Sequence, residues 1–329
     1  MKQEIKGDIF GVNDRGSFLN LAINTYQYQL SNNQVYKEFV TCLGKERSAV
    51  SSLSGLTFLP VEFYRNHKII TGNLKEETVF ESSGTAGVNP GKHYVSDLSL
   101  YEESFLRSFN IFYGDPKEYM IAALLPSYVE RSGSSLVYMA NALINISSHR
   151  LSGFYKENPL ELIDAINTAK AENYKVLLLG VSFALLDLAE AYSPDLSGVI
   201  VMETGGMKGR RKEVTRQELH KVLKEKFNVP AIHSEYGMTE LLSQAYSKGD
   251  GIFYCPPWMK ILIRDTHDPL TVHLDKGVTG GINIIDLANI NSCSFISTGD
   301  LGRLREDEGF EVIGRFDSSD IRGCNLLIE

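Results

Sequence analysis

The stretch Glu81-Ser82-Ser83-Gly84-Thr85-Ala86-Gly87, with Lys92 shortly after it, is built to hold an anion. Hydroxyl side chains and glycines crowd together here, just behind the short apolar run Thr78-Val79-Phe80. A strand that runs into such a loop offers backbone N–H groups and hydroxyls to an oxyanion, and glycine lets the main chain approach closely. Ser82, Ser83, Gly84, Thr85, Gly87 and Lys92 are the candidate phosphate ligands. The Walker A pattern fails: Gly91-Lys92 would need glycine at position 86 and Ser or Thr at position 93, where the chain has Ala86 and His93. The loop therefore stands outside the P-loop class, and taken alone it also reads as a plain connection.

Four more groups carry polar chemistry at expected loop positions. They are Glu203-Thr204-Gly205-Gly206, Ser234-Glu235-Tyr236-Gly237-Met238-Thr239-Glu240, Ser297-Thr298-Gly299-Asp300 and Gly314-Arg315-Phe316-Asp317. Each by itself reads as a turn or a strand end. The segment from Lys208 to Lys226 holds eight basic and three acidic residues on a chain of net charge −8. It reads as a solvated helix face, or as a place where Lys208, Arg210 or Arg211 meets pyrophosphate or an acidic partner. His93 and His149 read as satisfied or surface residues. His233, directly before the Tyr-Gly motif, is a candidate for lining an acyl or phosphate site.

The elements that must position these groups alternate in type. Residues 1–75 read as mainly helical, with Phe18, Leu21, Ala22 and Tyr26 near helical spacing. Residues 76–249 read as an α/β core. Met120–Leu125, Val176–Leu179, Val199–Met202 and Val229–His233 are apolar strand candidates. Helices are expected after Asp97 and Ser182 as caps, over 134–144 and 159–171, and after a capping box at Thr215 and Glu218. Uniformly apolar strands alternating with helices mean a parallel sheet covered on both faces, with ligands beyond the strands' carboxyl ends. Residues 250–329 read as a smaller antiparallel β region with a short C-terminal tail, the three parts forming one integrated unit.

Composition removes several classes. Hydrophobic residues make up 43% and charged residues 22%, ordinary for a chain with a sizeable core. The acidic balance argues against nucleic-acid binding. The start has no apolar signal region and no run approaches a membrane span, so a cytoplasmic setting is expected. Cys42, Cys255, Cys293 and Cys324 stand singly, without disulfide or metal-ligand spacing.

In order and spacing, the polar groups resemble the motifs of the adenylate-forming enzymes, the superfamily of acyl-CoA synthetases and related ligases. The resemblance implies their large N-terminal domain, parallel sheets covered by helices plus an antiparallel β region, with the mobile C-terminal domain and its lysine absent. It implies ATP and Mg²⁺ as cofactors. The Ser82–Gly87 loop would hold phosphates, Tyr236 would wall the adenine, Thr239 would contact phosphate and Glu240 would bind the metal. Asp300 would take the ribose hydroxyls and Arg315 would lie near ribose and phosphate; Gly205, Gly206, Glu235 and Gly237 join the nucleotide set.

Leu59-Pro60-Val61, Phe80–Gly87, the run 203–211, the run 234–244 and Asp320–Cys324 are similar, more narrowly, to the acyl-protein synthetase family of the bacterial luciferase system. That implies activation of a fatty acid as acyl-AMP and transfer to a cysteine near the C-terminus, then to a reductase-like partner. Cys324, with Arg322 beside it, is the candidate acyl carrier, and Lys208 a candidate catalytic cation. Leu124, Leu125, Tyr128, Leu136, Val137 and Tyr138 are candidates for an acyl-pocket wall. Two other readings are an acyl- or aryl-CoA ligase and a nucleotide-binding scaffold without catalysis. The full set Glu240, Asp300 and Arg315 argues against the scaffold.

Overall fold

The computed structural model describes residues 2–82, 89–125, 133–205, 214–273 and 275–316, without the side chains of residues 2–4. Ser83–Gly87, Tyr128, Gly206, Lys208, Arg210, Arg211 and Cys324, all singled out above, lie outside the described residues.

The first part is helical: α1 (Lys2–Asp8), α2 (Arg15–Asn32), α3 (Gln34–Cys42) and the single turn α4 (Phe63–Asn66). Asp14 caps α2 by accepting from the backbone N–H groups of Gly16 and Ser17, and Asn33 caps α3. Between α3 and α4 the chain adds a short strand, β1 (Leu59–Pro60). A hairpin-like pair follows, β2 (Thr78–Glu81) and β3 (Lys92–Val95), in antiparallel register. Then comes α5 (Leu98–Tyr113).

The α/β core is wound as β4 (Tyr119–Leu124), α6 (Ser135–Ser147), β5 (Gly153–Phe154), α7 (Pro159–Ala171), β6 (Lys175–Val181), α8 (Ser182–Tyr192), β7 (Ile200–Thr204), α9 (Arg216–Phe227), β8 (His233–Tyr236) and β9 (Ala245–Ser247). Among the described residues these strands form one sheet in the order β5-β4-β6-β7-β8-β9, parallel except for β9 at the edge. Every residue of β4 is buried, as a strand covered on both faces must be. Its side chains split by parity: Ile121 and Ala123 enter one apolar cluster, Met120, Ala122 and Leu124 the other. Leu124 thus faces the α7/α8 side while Leu125 packs in the opposite cluster, so these two do not share a wall.

The last part is antiparallel: β10 (Ile252–Phe253), β11 (Met259–Arg264), β12 (Val272–His273), β13 (Thr279–Asp286), β14 (Phe295–Leu304) and β15 (Phe310–Arg315), ordered β10-β15-β14-β13-β11-β12. β1 adds to β14 in parallel, an addition from more than two hundred residues away in sequence. A bridge between Tyr246 and Tyr254 joins the edge of the parallel sheet to this region. Gln29 of α2 is fully buried, donates to the Asn289 and Ile290 carbonyls and accepts from the Ser294 N–H. The apolar cluster on that side runs from Ile5 to Phe310. Trp258 sits where these parts meet, its Nε1–H near Ser104 Oγ (3.1 Å) and Ser243 Oγ (3.0 Å), with Phe10 edge-on at 4.9 Å.

Three local expectations are corrected. Asp97 does not cap α5; its carboxylate pairs with Lys6 and Ser99, and Glu77 Oε2 accepts the Leu98 N–H at 2.8 Å. Ser182 is the first residue of α8 rather than its cap, and its hydroxyl donates to Glu203 Oε2 (3.0 Å) and the Gly205 carbonyl (3.1 Å). The strand expected over 229–233 begins only at His233, because Pro230 has no N–H to give a ladder. The Tyr-Gly motif therefore starts on the strand instead of after it. The Thr-Gly-Asp motif likewise lies within β14.

Candidate active site

Tyr236 ends β8 at the carboxyl edge of the parallel sheet, and its ring packs between Phe253 (5.9 Å) and Phe310 (5.6 Å). Its hydroxyl donates to Asp300 Oδ2 at 2.8 Å. Burial, with Asp300 adding to it, holds the Tyr236 pKa well above the ordinary phenol range. Asp300 and Arg315 are cross-strand partners on β14 and β15, and Arg315 Nε lies 3.2 Å from Asp300 Oδ1. Asp300 is further fixed by its own N–H, which donates to Thr298 Oγ1 at 3.1 Å. Three residues picked from three separate motifs thus form one cluster. Its Arg315 end is exposed, 78% of the side chain's surface being open to solvent.

Glu240, from the same motif as Tyr236, meets the base of the Ser/Gly loop. Four residues past the end of β8, its carboxylate is buried and rests against Gly91, where a Cβ would stand 2.5 Å from Glu240 Oε1 and 3.5 Å from Ser82 Oγ. Any side chain at position 91 would displace the Glu240 carboxylate. Ser82 and Gly91 close the base of the Ser/Gly loop: the Ser82 N–H donates to the Gly91 carbonyl at 2.9 Å, and the Gly91 N–H donates to Ser82 Oγ at 2.8 Å. Burial raises the Glu240 pKa to about 7, against Arg315 and Arg65, which pull it down.

The main chain around Glu240 is held from behind. His93 of β3 is buried, with Nδ1 2.8 Å from the Thr239 carbonyl and Nε2 3.1 Å from Asn289 Oδ1. Asn289 Nδ2 donates to the Glu240 carbonyl at 2.7 Å. Burial draws the His93 pKa down to about 4. Asp286 accepts from the N–H groups of Leu242 (2.8 Å) and Ser243 (3.0 Å) and from the Ser243 hydroxyl (2.6 Å). The segment that carries Thr239 and Glu240 is therefore clamped by the β2–β3 hairpin on one side and the β region on the other. No sequence signal marks Asn289 or Asp286, while His93, expected as a satisfied or surface residue, is the satisfied, buried kind. In β3 His93 and Val95 are buried and Lys92 and Tyr94 half-exposed, so the hairpin has one inward face.

The remaining candidates fall elsewhere. Lys92 faces opposite to His93 and pairs with Glu81 at 3.2 Å. Glu203 is buried beneath the sheet edge among Arg216 (Nε at 3.2 Å), His220 and Ser182, and these partners overcome burial to lower its pKa. Glu235 points to the other face, accepts from Thr204 Oγ1 at 2.6 Å, and is raised to about 7 by burial. A Cβ at Gly237 would stand 2.4 Å from Glu235 Oε1, so this glycine makes room for Glu235. Gly205 ends β7 with φ of 70°, and its carbonyl accepts from Ser182. His233 is half-buried, with Nδ1 3.2 Å from the Tyr113 hydroxyl, and its pKa is lowered to about 4 by burial and then Lys248. It stands at the start of β8, away from the carboxyl edge. Val137 is buried in the core, while Leu136 and Tyr138 pack partly buried against the same cluster as Leu125.

A magnesium ion would suit Glu240. The carboxylate has no side-chain hydrogen-bond partner among the described residues, and no cluster of three or more ligand side chains competes there. Magnesium is commonly held by one or two carboxylates with substrate phosphates completing the shell.

Comparison with known proteins agrees with this architecture. No family model matches the chain. The long-chain-fatty-acid–luciferin-component ligase of Vibrio harveyi is 23% identical over 330 residues, spanning 93% of this chain and 85% of that protein. The open conformation of 2-hydroxyisobutyryl-CoA ligase superposes with a TM-score of 0.66 at 12% identity, over 93% of this chain and 77% of that one. The same ligase in its postadenylation state gives 0.67 at 12% identity, over 92% and 68%. The fold is thus shared with 2-hydroxyisobutyryl-CoA ligase over 92–93% of this chain. No helix among the described residues is long and apolar enough to cross a membrane.

Proposed function

We propose that this chain activates a carboxylic acid, a fatty acid in the first instance, with ATP and passes the acyl group from acyl-AMP to a protein thiol. The carrying observation is the cluster of Tyr236, Asp300 and Arg315, together with the reach of the Arg315 charge to Glu240, which rests against the base of the Ser/Gly loop. The luciferin-component ligase, whose name states a long-chain fatty acid as its substrate, supports the acid and the protein acceptor.

The chemistry follows from the charges. A carboxylate is a poor electrophile because its leaving group would be oxide. Its oxygen attacks the α-phosphorus of ATP, the bond from that phosphorus to the bridging oxygen breaks, and pyrophosphate leaves. The product is a mixed anhydride whose leaving group is AMP. A thiolate then attacks the acyl carbon, AMP departs with the bond electrons, and a thioester remains. Asp300 would accept from the ribose hydroxyls, Tyr236 would wall the adenine, and Arg315 would balance phosphate charge. Glu240 would hold the magnesium ion, which when bound neutralises charge on the phosphate oxygens. Ser82, Ser83, Thr85 and Lys208 are proposed phosphate contacts, and Cys324 the proposed acyl carrier; of these only Ser82 is among the described residues.

A second reading is kept because the open-conformation ligase of the same fold was solved with 2-HIB-AMP and CoA. A panel of carboxylic acids scored by pyrophosphate release, with and without CoA, separates the two. Acid-dependent release that leaves a hydroxylamine-labile acyl group on the protein, lost in Cys324→Ser, supports the protein-thiol route. Free acyl-CoA with no acylated protein supports the CoA ligase. No acid-dependent release across the panel ends both.

A further inference from the structure

We propose that Arg65 is a phosphate-binding residue of this site, its guanidinium holding a phosphate of the nucleotide beside Glu240. The proposal rests on the adenylation reading and adds a residue from the N-terminal helical part, which no motif had pointed to.

The turn that carries Arg65 is pinned to the site on two sides. Just before α4, the Val61 N–H donates to the Ser297 carbonyl at 2.9 Å, docking the chain along the strand of Thr298, Gly299 and Asp300. Within α4, the buried Tyr64 places its ring edge-on to His93 at 5.7 Å, and its hydroxyl lies 3.2 Å from Ser292 Oγ. His93 in turn holds the Thr239 carbonyl. Arg65 is therefore the residue next to a tyrosine anchored behind Glu240, on the wall between the hairpin and β14. It is exposed, and its charge is felt at Glu240, as is that of Glu62 from the same turn.

Among the described residues, Arg315, Lys92 and Arg264 are already engaged. Arg315 pairs with Asp300, and Lys92 pairs with Glu81 on the far face of the hairpin. Arg264 is buried and spends its guanidinium on the Ile282 and Thr298 carbonyls and on Asn283 Oδ1. The Arg65 N–H donates to the Glu62 carbonyl at 3.1 Å, while its guanidinium has no ion-pair or hydrogen-bond partner among the described residues. A free guanidinium beside a buried carboxylate, on a chain of net charge −8, is suited to a planar, bidentate grip on a phosphate.

The test is nucleotide binding by the full chain with magnesium, measured calorimetrically for ATP and for adenosine. Arg65→Ala is expected to weaken ATP at least tenfold and leave adenosine unchanged, with Arg65→Lys recovering part of the loss. Arg150→Ala, which removes a surface arginine paired with Glu172, serves as the control that changes neither. In turnover the same variant should raise the KM for ATP more than it lowers kcat. Arg65→Ala that binds ATP as tightly as the parent, or that loses ATP and adenosine equally, overturns the assignment while the adenylation reading stands. A parent chain that binds neither compound overturns both.

Discussion

Glu240 works through its neighbours as much as through its own charge. Gly91→Ala would place a methyl group 2.5 Å from Glu240 Oε1 and push the carboxylate off its position. Small misplacements of catalytic groups cost about a hundredfold in rate, so acid-dependent pyrophosphate release should fall by about that factor with little change in Tm. Glu240→Gln keeps the shape but removes the charge, and release should again drop by about two orders of magnitude while circular dichroism stays that of the parent. An unchanged rate in both variants would remove Glu240 from the chemistry. Glu235 makes a different prediction. Its pKa is raised by burial to about 7, so the neutral form is favoured in the fold, and its stabilising effect is complete below the unfolded value and lost as pH rises through about 7. Between pH 6 and pH 8 the lost stability is on the order of 1 kcal/mol. Denaturant midpoints of Glu235→Gln should vary less over that interval than those of the parent.

At the scale of elements, the strands β4, β6 and β7 were readable because both-faces burial leaves uninterrupted apolar runs, and β4 and β6 stand within a residue or two of expectation. α7 spans 159–171 as its spacing predicts. The Thr215–Glu218 capping box is present, with the Glu218 N–H donating to Thr215 Oγ1 at 3.2 Å and the Thr215 N–H donating to Glu218 Oε2 at 2.8 Å. Thr215→Ala should cost about 1 kcal/mol in denaturant unfolding. The same helix carries Arg216, which reaches Glu203 and the Val312 carbonyl of β15, so loss of the cap should also loosen the strand that bears Arg315. What sequence could not show were associations set by distant partners. β3 is only four residues long and follows Asn89-Pro90-Gly91, so no periodicity marks it. The addition of β1 to β14 leaves no local trace, because a two-residue strand has no pattern of its own. The cluster of Tyr236, Asp300 and Arg315 was legible as three motifs, which the fold brings together. The polar clamp of His93, Asn289 and Asp286 was not, because a buried polar residue looks like a loop residue until its partners are known.

Across the whole molecule, the parallel sheet, the β region and the N-terminal helices share one apolar cluster and one set of buried polar ties. Trp258 stands on that seam and is the one tryptophan of the chain. Its indole belongs to the β region, yet its N–H partners come from α5 and from the segment just past Glu240. Spectroscopically, the protein thus carries a single built-in fluorophore at the junction of its parts. Native emission should be blue-shifted and poorly quenched by iodide, because the ring is 2% exposed. On chemical denaturation the red shift should coincide with the loss of far-ultraviolet ellipticity, since neither sheet can leave the seam without stripping the indole of a partner. Two separated transitions would mean that the sheets come apart before they melt. Because Ser243 ties the indole to the Glu240 segment through Asp286, titration with magnesium and ATP should also change its intensity, giving a binding signal that needs no label.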